Sequence, residues 1–404
     1  MSVKFSVAVI GCGGFARGFV PLFKAHPAVG TVSVCDLIPE RAKEYSEKFE
    51  VPIIDTFENA LADPSVDAIA IFTQRHLHGP MVIKALYAGK HVYSAVPMAS
   101  EPDECRQIIE AVNKTRKIYM MGETCIYYPC AMYCKAEYEK GTFGRFVYGE
   151  AQYYHDLSHF GAQYNSDRMY SAGLPPFLYP THSTAMMLWA TGAYVTRVTA
   201  LGYVDKEPNT PFAVGENVYG NSFSNEFSLM QLSNGGVARI NECRRIGFKA
   251  PSSSVQSFYG TKGGYQFSNA QHILTTLTPT GVDLRDVSAE VNPMAMENNR
   301  TNDVEFKRRV ANHGWAGSDF SPPQAEDVKR LPASYEKLGS GHMGSHKFLI
   351  DDFCTAVRDN KLPRVNAWFS ARCTIPGLLA HESAKLGGVP INVPDYGDAP
   401  EDWE

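Results

Sequence analysis

The sequence predicts a chain in two parts, an α/β domain with a doubly wound parallel sheet followed by an α+β domain with an open, mainly antiparallel sheet. Three observations carry this. Short β-branched runs alternate with helical patterns up to about residue 122, long two-fold alternating runs replace that rhythm after about residue 130, and two helical patterns close the chain. With 404 residues, 44% of them apolar and 20% charged, the chain has material for more than one core. Two domains are expected, 1–125 and 126–404, with the closing helices returning to the first.

In the first part, 4–10, 32–36, 68–72, 91–94 and 118–121 read as strands, and 16–25, 39–49, 80–88 and 102–115 as helices. Strands joined by helical crossovers pair in parallel, and right-handed crossovers cover both faces of the sheet. In the second part, 146–155, 196–204, 221–233, 236–245, 253–261 and 265–269 alternate as half-buried strands do. Asn234-Gly235-Gly236 and Lys262-Gly263-Gly264 lie between runs as hairpin turns, where residues with positive φ match the strand twist. Residues 282–340, rich in Asn, Pro, Ser and charge, read as a long irregular excursion, and 345–358 and 367–385 as the closing helices. The apolar alternation over 223–240 leaves a sheet face for a second copy of the chain to cover, so a homodimer or homotetramer is expected.

The net charge is -5 and the 38 Lys and Arg are scattered singly or in pairs, which argues against a nucleic-acid partner. No stretch approaches a membrane span, and the first apolar run is too short for a signal segment. Nine cysteines without a Cys-x-x-Cys pair fit reduced thiols in a cytoplasm. Cys125, Cys130 and Cys134 lack paired ligand spacing and read as buried thiols, so no metal is expected.

The first strand feeds Gly11-Cys12-Gly13-Gly14-Phe15-Ala16, a G-x-G-x-x-A turn opening a helix. The first glycine permits the tight turn, the second lets main chain approach a pyrophosphate, and Ala16 lets helix pack on strand. Asp36 ends the second strand about 20 residues on, where a ribose 2′-hydroxyl would be held. Its charge repels a 2′-phosphate, so NAD is expected over NADP, although Arg41 stands close enough in sequence to offset it.

Further motifs follow in order. Thr73-Gln74-Arg75-His76-Leu77-His78, after the fourth strand, resembles a Thr-Pro-Asn-x-x-His motif with Gln74 and Arg75 replacing Pro-Asn. Gly89-Lys90-His91-Val92-Tyr93-Ser94-Ala95-Val96-Pro97 is similar to the stretch that carries Glu-Lys-Pro, with Ala95-Val96 in place of Glu-Lys. Glu139-Lys140-Gly141-Thr142-Phe143-Gly144-Arg145 resembles the Gly-x-x-Gly crossing into a second domain. In this order the chain resembles the Gfo/Idh/MocA oxidoreductases over nearly its whole length. The resemblance implies a Rossmann domain followed by an open sheet, a carbohydrate or polyol substrate, NAD(P) as redox partner, and Thr73, His78, Val96 and Pro97 beside the cofactor.

Two departures bear on the chemistry. Val96 stands where the family commonly has lysine, and Leu178 where it has Asp four residues before the active-site histidine, which His182 matches. A dehydrogenase needs a group that titrates near neutrality to take the hydroxyl proton, and valine has none to exchange. His182 opens an apolar helix, whose N-terminus disfavours a cation, so a neutral imidazole base is expected; a capping or core histidine is the alternative. Glu123, leaving the sixth strand, and Tyr179 are further catalytic candidates, Glu123 being otherwise a solvated strand-end carboxylate. His155 and His159 within Tyr153-Tyr154-His155-Asp156-Leu157-Ser158-His159, with Tyr128 and His342, are candidate substrate contacts, since rings stack on sugar C–H faces while hydroxyls need donors and acceptors. The leading expectation is an NAD(P)-dependent dehydrogenase acting on a secondary hydroxyl of a sugar, polyol or glycoside. A redox-neutral glycoside hydrolase, lyase or epimerase using transient ring oxidation, and a non-catalytic NAD-linked binding subunit, are the alternatives.

Overall fold

A computed structural model describes residues 4–157, 169–208, 210–246, 252–268, 271–291 and 328–403. The chain forms two compact units. Unit 1 comprises Met1–Glu123, Lys329–Ala371 and Tyr396–Glu404, and unit 2 comprises Thr124–Val328 and Arg372–Asp395.

Unit 1 is built on β1 (Phe5–Ile10), α1 (Val20–Ala25), β2 (Val29–Cys35), α2 (Pro39–Phe49), α3 (Phe57–Ala62), β3 (Ala68–Ile71), α4 (His78–Tyr87), β4 (His91–Ser94), α5 (Pro102–Thr115) and β5 (Tyr119–Met121). The five strands pair in parallel in the order β2-β1-β3-β4-β5. Their Val, Ile and Ala side chains are almost wholly buried, as expected for strands covered on both faces. Local signals start and stop the helices. Pro39 and Pro102 take first-turn positions where a missing amide costs nothing, Asp103 and Glu104 face the positive end of α5, and Thr56 caps α3 by accepting from the Asn59 amide at 3.0 Å.

Two expectations are corrected here. The helix expected over 16–25 is split into a 3-10 turn, Ala16–Gly18, and the short α1, because Pro21 has no amide with which to continue an α-ladder from the preceding turn. The five strand runs are all present, but the ordinals given to two of them are corrected. What a six-stranded pattern would make its third strand is reduced to a single parallel bridge, Val34 to Ile53, so the Thr73 loop follows the third strand and Glu123 the fifth.

Unit 2 contains α6 (Pro129–Glu139), β6 (Phe146–Tyr154), α7 (Thr181–Thr191), β7 (Val195–Val204), β8 (Phe223–Leu232), β9 (Val237–Cys243), β10 (Ser252–Gly260), β11 (Gly263–Ser268), β12 (Gln271–Thr278), β13 (Gly281–Asp286), α8 (Ser288–Val291) and the short β14 (Ile391–Asn392). The strands form one sheet in the order β13-β12-β11-β10-β6-β9-β8-β7-β14, antiparallel throughout except for the parallel β6–β9 pair. α7 packs on β6, β9 and β10, and α6 on β10, covering one face. On β7 and β8 the other face exposes Leu201, Tyr203, Phe227 and Leu229. Two late helices follow, α9 (Ser345–Asp359) in unit 1 and α10 (Ala367–Lys385), along which the chain passes from unit 1 to unit 2 at Arg372. No described helix is long and apolar enough to cross a membrane.

The excursion expected over 282–340 is also corrected at its start, where β13 pairs with β12 and α8 follows; residues 292–327 lie outside the described residues. Of the two expected hairpin turns, Gly235 has φ +86, but Gly263 does not take positive φ. Glycine is required there by close approach, since a Cβ on Gly263 would fall 2.4 Å from the Thr275 carbonyl oxygen across the β11–β12 ladder.

Candidate active site

The glycine turn of unit 1 is built from contacts within the sheet. Gly11 has φ +97, and a Cβ there would lie 2.7 Å from the Phe72 carbonyl oxygen, so the turn closes over the end of β3 only with glycine. Cβ atoms at Gly13 and Gly14 would meet nothing within 4 Å, which leaves bare main chain facing open space. Asp36 accepts from the Cys12 amide at 2.6 Å and the Ile38 amide at 2.8 Å. These bonds fix its carboxylate at the end of β2, and each oxygen keeps a lone pair for a ribose hydroxyl. Tyr45 donates its hydroxyl to the Gly13 carbonyl, tying α2 to the turn. Phe15 and Ala16 follow, Ala16 buried and Phe15 partly exposed. A diphosphate would meet the amides of a 3-10 turn rather than the long helix the sequence led one to expect.

Two other cofactor-side loops are joined by one histidine. His78 Nδ1 lies 2.8 Å from the Pro97 carbonyl and Nε2 3.2 Å from the Thr73 carbonyl. Burial pushes its pKa down to about 4 against the opposing pull of the two carbonyls. A neutral ring donates once, and the shorter contact assigns that proton to Nδ1, which faces Pro97. The Val96–Pro97 bond is cis and both residues are buried. Glu123 is fully buried, so it is not the solvated carboxylate weighed as its alternative. Beside it is Tyr93, whose hydroxyl is held far above its usual ionisation by burial and then by the Glu123 charge. His342 precedes α9, and its Nδ1 lies 2.8 Å from His346 Nε2, with Phe15 packed edge-on against both rings.

Unit 2 gathers a second set. His182 is the second residue of α7 and is buried; its Nε2 lies 3.1 Å from the Tyr179 hydroxyl. The ring meets Tyr153 edge-on at 4.6 Å between centroids and Tyr179 at 5.1 Å. The Tyr153 hydroxyl in turn lies 2.7 Å from His155 Nδ1. Beneath these sit two fully buried charges. Arg244 Nη2 donates to Glu242 Oε2 at 2.8 Å and to the carbonyls of Pro176 and Tyr179 at 2.9 and 3.2 Å, while Ser183 donates to Glu242 Oε1. Burial raises Glu242 to about 7, with Arg244, Ser183 and His182 pulling the other way. Directly across the β8–β9 ladder, Glu226 is also fully buried, accepting from the Phe177 amide at 2.7 Å and meeting His381 Nδ1 at 2.7 Å. The two glutamates therefore anchor both ends of the 177–183 segment that carries Tyr179 and His182.

The structure brings together His182, Tyr179 and His155 in unit 2, and the glycine turn, Asp36, Thr73, His78, Val96 and Pro97 in unit 1. Tyr128 is buried at the start of α6 and bonds its amide to the Cys125 carbonyl. His159 lies outside the described residues. Tyr153, Ser183, Glu242 and Arg244 were missed. One signal was available for the last two: Ala238, Ile240, Glu242 and Arg244 share one parity of β9 and its extension, so two charges occupy positions that alternation assigns to the core.

Residues 5–123 match an oxidoreductase family with an NAD-binding Rossmann fold. A glycosyl hydrolase family 109 protein of Bacteroides thetaiotaomicron is 31% identical over 418 residues, covering 96% of this chain and 84% of its own. A second protein of that description, from Streptomyces filamentosus, is 25% identical over 96% of this chain and 77% of its own. Among solved structures, a levoglucosan dehydrogenase complexed with NADH superposes with a TM-score of 0.74 at 19% identity, covering 97% of this chain and 100% of that one.

Proposed function

The chain belongs to the Gfo/Idh/MocA oxidoreductases, an NAD-binding family, and from that membership we propose that it cleaves glycosides by a redox-neutral route, oxidising a ring hydroxyl and restoring it within one turnover. The observation that carries this reading is the hydrogen bond between partly buried Tyr179 and buried His182 in a chain that has Val96 at the family's lysine position. Proteins described as glycosyl hydrolases match 96% of the chain, which supports the same reading.

The glycine turn and Asp36 would hold NAD, which would supply the hydride acceptor for oxidation of the sugar carbon and the donor for its restoration. The protein must move the protons. His182 takes the hydroxyl proton through Tyr179, whose hydroxyl is within hydrogen-bond reach. A ring carbonyl then acidifies the neighbouring C–H, and Glu123, held in a buried site, removes that proton. The leaving group departs from the next carbon with its bonding electrons, water adds at that carbon, and the proton transfers run in reverse. Tyr128, His155 and His342 are assigned to substrate hydroxyls in this reading.

The test is turnover of a panel of aryl glycosides in deuterated water. Deuterium at the carbon beside the oxidised one, with no net NADH, is expected. Stoichiometric NADH without exchange would select net dehydrogenation instead, and bound NAD with no turnover on any sugar would select a binding subunit. Leu201, Tyr203, Phe227 and Leu229, exposed on one sheet face, support assembly with a second copy; light scattering at the monomer mass would refute it.

A further inference from the structure

Resting on the reading of Tyr179 and His182 as the acid/base pair, we propose that Arg244 is the positioning residue of that pair: its guanidinium fixes the Tyr179 hydroxyl against His182 and lowers the cost of negative charge there. Its bonds to the Pro176 and Tyr179 carbonyls hold the main chain of the turn that carries Tyr179. Its carbon atom lies 5.7 Å from the centre of the Tyr179 ring and 5.2 Å from that of Tyr153, within the range at which a cation is attracted to a ring face. An ionised phenol attracts it further. Glu242 completes the device. One oxygen holds Arg244 and the other takes the hydroxyl of Ser183, the neighbour of His182, so one ion pair fixes both members of the acid/base pair.

A buried ion pair is poor evidence for stability, because well-packed apolar residues usually do as well. Its place here is explained by what it faces. Among the described residues, the titratable and charged groups around the two tyrosine rings include His155 just after β6, His182 on α7, Cys125 in the turn Thr124–Tyr127, and Glu242 and Arg244 at the end of β9. Arg244 is the permanent cation of that set. Burial drives Tyr153 well above its usual ionisation, and Arg244 opposes it.

The experiment exploits opposite signs. In the full-length protein, the tyrosinate absorbance of Tyr179 is isolated by subtracting the Tyr179→Phe titration. Arg244→Met should move its midpoint up by about one pH unit and Glu242→Gln should move it down by about one, the size expected of one neighbouring charge. The alkaline limb of glycoside turnover should follow in the same directions, and unchanged NAD binding checks the fold. A merely structural pair would lower activity in both variants and move neither midpoint. That outcome, a shift of both midpoints in one direction, or no Tyr179 tyrosinate below the unfolding pH overturns the assignment. Should Arg244→Met fail to fold, Arg244→Lys keeps the charge but loses the fork. It should keep the wild-type midpoint and lose at least tenfold in kcat at unchanged KM, and wild-type kcat would overturn the positioning role. Opposite midpoint shifts in a protein with no glycoside turnover would support Arg244 while defeating the proposed reaction.

Discussion

Each unit buries titratable side chains whose ionisation is displaced, and one from each site leans in the opposite direction to the other. In unit 1, His78 is kept neutral between two carbonyls, its pKa driven down by burial. In unit 2, Glu242 is pushed up by burial despite the guanidinium beside it. Below the ordinary imidazole range the unfolded chain binds a proton that folded His78 refuses, so the stability of unit 1 falls as pH drops from about 6.5 toward 4. Above the ordinary carboxyl range the unfolded chain releases a proton that folded Glu242 retains, so the stability of unit 2 falls as pH rises toward neutrality. Desolvation also lowers His91 and His346 in unit 1 and His272 in unit 2, so acid weakens both units and unit 1 more, while unit 2 carries in Glu242 a loss that runs from about pH 4.5 to about 7. The difference follows from what each site holds: loops tethered by a neutral imidazole, or a Tyr179–His182 pair, the proposed acid/base pair, above a buried ion pair.

The largest effect should separate chemistry from cofactor binding. His182→Ala or Tyr179→Phe is expected to lower kcat by about 10²–10⁴-fold, the usual worth of a positioned acid or base, while NAD affinity measured by fluorescence stays within twofold to threefold, roughly. Loss of NAD binding in these variants would break the division of labour. Next is the pH contrast itself. Amide exchange should show unit 1 losing more stability than unit 2 between about pH 6.5 and 4, and His78→Asn should remove up to about 3 kcal/mol of that loss, leaving the part carried by His91 and His346. Equal acid sensitivity in both units would collapse the comparison. Asp36→Ala should weaken NAD binding by about 10–100-fold, the cost of a hydrogen bond to a charged group, with the kcat of the saturated enzyme little changed. Smallest is Leu229→Glu on the exposed sheet face, expected to change folding stability by no more than about 0.5 kcal/mol while driving any assembly toward monomer in light scattering.

Unit 1 was largely legible because its signals are local. Buried β-branched runs, Pro39, Pro102 and the glycine turn each act within a few residues, and α2, β4 and α5 fall at the expected bounds. α3 is only six residues long, too short to show a period, and the lost third strand depends on pairing rather than propensity. In unit 2 the alternation located the strands from β6 to β11 to within a few residues, but not β12 and β13, where exposed Leu277, Val282 and Leu284 blur the inside–outside contrast. His182 could be singled out because it matches the family's histidine and opens a helix, with Tyr179 just before it. Glu242 and Arg244 stand some sixty residues from their partners, and their parity on β9 was outweighed by the habit of reading charges as solvated.

The single parallel pair in unit 2 also sets a timetable for synthesis. β6 is emitted early, yet its neighbours are β9, which begins about ninety residues later, and β10, later still. At roughly 5–20 residues per second, β6 waits on the order of 5–20 s with both edges bare. It carries Phe146, Val147, Tyr148, Ala151, Tyr153 and Tyr154, a segment of high strand propensity with one acidic side chain, Glu150. A ribosome pause between β6 and β9 would lengthen the window in which nascent chains can pair with each other through that strand, so yield in the cell should depend on the translation speed of this stretch more than on final stability.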